Sequence, residues 1–150
     1  MASTITPSTF TATISETITL NGQTINSENQ LNINDVNEFD KRVMTIHTSS
    51  EVTLISFAST VGAGTFISGD MKYFHVTNKD TVNYARIRVK KNGADTFDIR
   101  LDAGQSFIMG NIKESVSATA VAFTSFQDAD SINAQAYTAA IDVEYIVVSI

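Results

Sequence analysis

Apolar and polar residues alternate one for one along much of the chain, most clearly over 82–110, VNYARIRVKKNGADTFDIRLDAGQSFIMG. Ala85, Ile87 and Val89 alternate with Arg86, Arg88 and Lys90, and Phe97, Ile99 and Leu101 alternate with Asp98, Arg100 and Asp102. Side chains of a strand point to opposite faces in turn, so each run predicts a half-buried strand. Asn92-Gly93 lies between them, a dipeptide that accepts positive φ at both central positions of a type I′ turn. A second turn, Asp102-Ala103-Gly104-Gln105, would send Ser106 to Met109 back as a further strand. The expected centre is a three-stranded antiparallel meander.

The same period appears elsewhere. Met1 to Ser8, Thr/Ser-rich and holding the single proline, reads as an arm, and the domain is expected over 9–150. Phe10, Ala12, Ile14, Ile18 and Leu20 share one face of a long strand interrupted at Glu16, and Asn21-Gly22 is a turn that could reverse it into Gln23 to Asn26. Beyond that, Asp35 and Glu38 have capping-box spacing, which suggests one helical turn over 35–40. Strand patterns resume at Arg42 to Thr48, Val52 to Phe57, Thr65 to Ile67, Met71 to Asn78 and Val116 to Phe126, with Gln127 to Gln135 as a loop. The last strand, Tyr137 to Ile150, places Ile141, Val143, Tyr145 and Val147 on one face and Ile146, Val148 and Ile150 on the other. A strand apolar on both faces is either central in a sandwich or covered by another subunit, which is the reason to expect an oligomer. Many short strands with turns between them describe an all-β, single-domain antiparallel β-sandwich, of which the jelly roll is one wiring.

Composition narrows the function. A chain of 150 residues can bury about 68–70% of its unfolded surface and needs no staples; with no cysteine it has neither disulfides nor a zinc ribbon. The first residues lack the basic and apolar regions of a signal peptide, and no apolar run is long enough to span a bilayer, so a soluble, unexported chain is expected. The formal net charge of −6 argues against nucleic acid or an anionic membrane as a partner.

Candidate chemistry is sparse. Gly62-Ala63-Gly64 lacks the third glycine and following helix of a dinucleotide site. His47 and His75 sit on polar strand faces among threonines, where a solvated or hydrogen-bonded role outweighs a catalytic or metal one by about ten to one. No nucleophile elbow marks a serine. Asp128-Ala129-Asp130 with Asn133 has the beginning of a calcium loop but neither its glycine nor its closing glutamate. No catalytic residue, cofactor or metal site is therefore expected. The remaining feature is the cluster Arg86, Arg88, Lys90, Lys91 and Arg100, five of the ten Lys and Arg residues in one hairpin. Pairing with Asp95, Asp98 and Asp102 is the plainer explanation; a contact surface for an acidic partner is the functional one.

The run Tyr73 to Gly110, with its strand, Asn/Asp turn, alternating hairpin and L-x-A-G-x-S-F turn at Leu101 to Phe107, resembles a segment of tailed-bacteriophage virion proteins, in particular capsid decoration (cement) proteins. The resemblance covers about a quarter of the chain and transfers no catalytic residue. It implies a virion structural protein, made in the host cytoplasm, that forms a homo-oligomer, a trimer, and binds the major capsid protein on the outer shell. The arm and the basic hairpin are the expected contacts. A tail or neck component, or a carbohydrate- or receptor-binding sandwich of a tail fibre, is the alternative. The last should show clustered exposed aromatic side chains, and the chain has no Trp.

Overall fold

The computed structural model describes residues 5–91, 96–110, 113, 125–126 and 129–150. The described residues form eleven strands and no α-helix. In chain order the strands are β1 (Ser8–Leu20), β2 (Gln23–Val36), β3 (Glu38–Ile46), β4 (Val52–Phe57), β5 (Thr65–Phe66), β6 (Met71–Asn78), β7 (Ala85–Lys90), β8 (Thr96–Leu101), β9 (Ser106–Gly110), β10 (Ser131–Ala136) and β11 (Ile141–Ser149). They make a two-stranded ribbon, β1-β2, a five-stranded sheet, β5-β4-β10-β7-β8, and a four-stranded sheet, β3-β11-β6-β9. Every pairing is antiparallel except β4 with β5.

One apolar cluster draws on both larger sheets. Leu54, Ile87, Val89, Ile132 and Leu101 come from the five-stranded sheet, and Ile46, Phe74, Val76, Val143 and Tyr145 from the four-stranded one. These are the inward positions of the period-two runs, and burying them is the main source of stability. The turn after β6 is built from its own side chains. Asp80 Oδ1 accepts the backbone N–H groups of Val82 and Asn83 at 2.7 and 2.6 Å, which holds its carboxyl below the usual range. The buried Asn78 donates to the carbonyls of Asn83 and Leu101 at 2.8 and 3.1 Å, tying that turn to the end of β8.

Several expectations need correction. The hairpin β7-β8 forms, with Ala85 opposite Leu101 and Lys90 opposite Thr96, and its Asn92-Gly93 turn lies outside the described residues. The third strand of the meander does not join it. The 102–105 turn exists, with Gly104 at φ 73° and Gln105 N–H donating to the Asp102 carbonyl at 3.0 Å, but β9 then pairs with β6 in the other sheet. Period two fixes which face of a strand is buried and leaves its neighbour open. No helical turn occurs at 35–40: β2 runs to Val36, Asp35 has φ 61°, and β3 begins at Glu38. Part of the expected loop Gln127 to Gln135 is β10, which sits between β4 and β7, and the last strand starts at Ile141, four residues after Tyr137. Most of the expected strand Val116 to Phe126 lies outside the described residues.

β11, apolar on both faces, is covered within its own chain. It lies between β3 and β6, its inner face joins the main cluster, and its outer face carries Val148 and Ile146 against Phe10, Ala12, Leu31 and Ile33 of the ribbon. The Phe10 ring meets Tyr73 of β6 at 5.0 Å between centroids.

Candidate functional site

Two surfaces stand out. The first is the β1-β2 ribbon. Asn21 and Gly22, at φ 50° and 79°, make the type I′ turn expected at the Asn-Gly pair, and pairing runs unbroken from Leu20↔Gln23 back to Phe10↔Ile33. Residues directly opposite share a face. One face is therefore polar throughout, with Thr11 donating to Asn32 at 2.8 Å and Thr19 beside Thr24 at 3.0 Å. The other face begins buried, at Phe10, Ala12, Leu31 and Ile33 on the outer side of β6 and β11, and Gly110 of β9 leaves room there for Leu31, because a Cβ would lie 2.9 Å from Leu31 Cδ2. It continues past the body with Ile14, Ile18, Leu20 and Ile25 exposed at 44–61%, interspersed on the same face with Glu16, Gln23, Ser27 and Asn29. From Ile14 to Leu20 the strand reaches roughly 20 Å.

The second surface is the outer face of β10, β7 and β8. Arg86, Arg88 and Lys90 project there, as expected, and Arg88 makes a bidentate pair with Asp98 at 2.6 and 2.7 Å. That pair holds the Asp98 carboxyl below its usual range. Arg100 pairs with Asp102 at 2.7 Å. The expected partner Asp95 lies outside the described residues, and Lys91 has an interaction of its own. The residue that organises the cluster is Glu51, just before β4: its carboxylate lies 2.8 Å from Arg86, 2.8 Å from Arg88 and 3.7 Å from Lys90. No local pattern marks Glu51, because it is brought to β7 only through β10.

At the β8 end of this face the charges border a cavity of about 500 Å³ lined by Tyr84, Arg86, Asp98, Arg100, Gln135 and Tyr137 among others. The Tyr84 and Tyr137 rings stack at 5.0 Å with 20° between planes, and the Arg100 guanidinium lies over Tyr84, 4.1 Å from its centroid. Gln135 accepts from Arg86 and donates to the Thr48 carbonyl at 2.9 Å. Tyr137, expected inside a strand, is instead 72% exposed in the bend before β11.

The histidines are not brought together with either surface's charges. His47 is exposed. His75 lies on the outer side of β6, 3.1 Å from the Thr77 hydroxyl, and burial together with nearby Lys41 pushes its pKa down against the opposing pull of Glu144. Among the described residues no group of three or more His, Asp or Glu side chains converges as metal ligands would. No protein-family model, no curated protein and no solved structure matches the chain.

Proposed function

We propose that this chain is a non-catalytic virion structural protein of the capsid-decoration type, a β-sandwich body that docks on the outer shell through the distal half of its β1-β2 ribbon. The two sheets sharing one core support the sandwich reading. The observation that carries the functional reading is the group of exposed Ile and Leu side chains on the distal half of the ribbon. A two-stranded hairpin alone in water is at best marginally stable, and Ile14, Ile18, Leu20 and Ile25 continue a face whose first half is already buried. An assembled lattice would supply the missing cover.

A homo-oligomer, taken as a trimer, fits the same chemistry. Beside the ribbon's seat, the outer face of β3 leaves Phe39 and Val43 exposed at 57% and 59% on either side of Lys41, a surface able to receive a neighbour's ribbon. The major capsid protein would take the remaining contacts. The basic hairpin is a weaker candidate for them, since Arg86, Arg88, Lys90 and Arg100 are all engaged with acids of their own chain. Binding energy available only on the assembled shell stabilises the shell by linkage.

The test is cosedimentation with capsids of the parent virus, expected at fixed stoichiometry and with a raised particle-opening temperature. Replacing Ile14, Ile18 and Ile25 by Ser should abolish association and leave the body folded. Unchanged association of that variant, or none by the natural chain, would overturn the reading. The receptor-binding alternative has one observation in its favour, the Tyr84–Tyr137 pair.

A further inference from the structure

We propose that the cavity beside Tyr84 and Tyr137 is a binding site for a neutral saccharide, with the open face of Tyr137 as its stacking platform. The inference does not rest on the capsid reading, since the cavity and the ribbon involve different residues.

Tyr84 carries the Arg100 guanidinium over its ring, 4.1 Å from the centroid, and stacks with the Tyr137 ring at 5.0 Å. Arg100 is in turn held by Asp102 at 2.7 Å. Tyr137 is thus fixed by stacking while 72% of it remains in solvent. A rigid, exposed aromatic face is costly to leave against water and needs little further ordering when a ligand covers it. The C–H face of a pyranose is a flat apolar surface of that kind.

The polar rim selects among flat ligands. Arg86 supplies donors, Asp98 acceptors, and Gln135 and the two phenols both kinds. Each group is oriented by a partner inside the protein: Arg86 by Glu51 at 2.8 Å, Asp98 by Arg88 at 2.6 Å, Gln135 by the Thr48 carbonyl at 2.9 Å. Across this face Arg86, Arg88, Lys90 and Arg100 share the carboxylates of Glu51, Asp98 and Asp102, so each of these cations already contacts an acid. A phosphate or carboxylate ligand would need a cation not already committed to an acid, whereas vicinal hydroxyls need the mixed, oriented donors and acceptors that are present. The overall charge of −6 also opposes an anion.

The test is an amide-resolved NMR titration of the full chain with galactose, glucose, mannose and N-acetylglucosamine, with inorganic phosphate and N-acetylneuraminic acid as anionic arms and N-acetyltyrosine amide as an aromatic one. At least one neutral sugar should shift amides of Tyr84, Ile99 and Gln135 to Tyr137 saturably. Tyr137→Ala should weaken that sugar roughly tenfold, as loss of an aromatic contact does, and Tyr137→Phe should retain most of it. Because Tyr137 is largely exposed, the Ala variant should keep its melting temperature and its capsid association. No response to any neutral sugar, a stronger response to an anionic or aromatic arm, or equal binding by Tyr137→Ala would each overturn the proposal.

Discussion

The ribbon and the body are written in the same alternating pattern and end in opposite circumstances. In the body, the inward faces of the two sheets meet: Ile87 and Val89 of β7 lie in one cluster with Phe74 and Val76 of β6. In the ribbon, Phe10 and Ile33 find such a face on β6 and β11, while Ile18 and Ile25, opposite each other farther along the same face, find none. Alternation thus fixes which side of a strand is apolar, and tertiary placement alone decides whether that side is a core or a contact surface. The ribbon is where the two meet.

Single truncations should separate the two regions most sharply. Phe74→Ala, at a fully buried ring, should cost about 3–5 kcal/mol, and Ile33→Ala, at the ribbon's seat, about 2–5 kcal/mol. Ile18→Ala should stay within about 0.5 kcal/mol in the isolated chain. Urea unfolding of the three variants, run dilute enough to keep the chain unassociated, makes the comparison. A loss above about 1 kcal/mol for Ile18→Ala would mean that its side chain is packed already, and the contrast between the regions would fail.

The sequence made some of this legible for identifiable reasons. Asn21-Gly22 and β6, Met71–Asn78, are strong local signals, a positive-φ turn pair and an uninterrupted period of two, and both appear as expected. β10 was obscured because its inward residues after Ile132 are Ala134 and Ala136 and its outward ones Ser131, Asn133 and Gln135, a composition that reads as a loop. Small side chains suffice there because both strand neighbours supply bulk. At the charged face, the hairpin's own Arg88–Asp98 pair was foreseeable from cross-strand register, whereas Glu51 and the Tyr84–Tyr137 stack join residues far apart in sequence through β10 and the bend after it. The exposed half of the ribbon was hard to place because Ile14, Ile18 and Leu20 alternate as a half-buried strand does, while Gln23 to Asn29 is too polar to read as its partner.

The charged face of the body is covered by polar contacts in place of apolar ones. Glu51 draws together three cations that β7 projects from one face, and Glu51→Gln should leave them repelling one another at a cost of about 1 kcal/mol. The coupling of Arg88 with Asp98 in a double-mutant cycle should be about 0.5–1 kcal/mol, because both side chains remain partly exposed, and should shrink in molar salt. A Glu51→Gln variant as stable as the natural chain would show that the charged face needs no internal pairing and leave its cations available to a partner.

The smallest effect is the dependence on pH contributed by His75, which lies on the sheet face that also seats the ribbon. Burial lowers its pKa in the fold, Lys41 acts the same way, and Glu144 opposes both. The unfolded chain therefore takes up this proton before the folded one does. Stability from the neutral imidazole is complete above the unfolded value, about 6.5, and declines as pH falls below it. Melting temperature should drop from pH 7 to pH 5, and His75→Gln should remove that share of the slope. The decline at lower pH, where Asp98 and Asp80 are protonated out of their hydrogen bonds, should persist in the variant. An unchanged slope between pH 7 and 5 would mean that the ring is hydrated in the fold, and so that the ribbon sits less closely on β6 than its buried half requires.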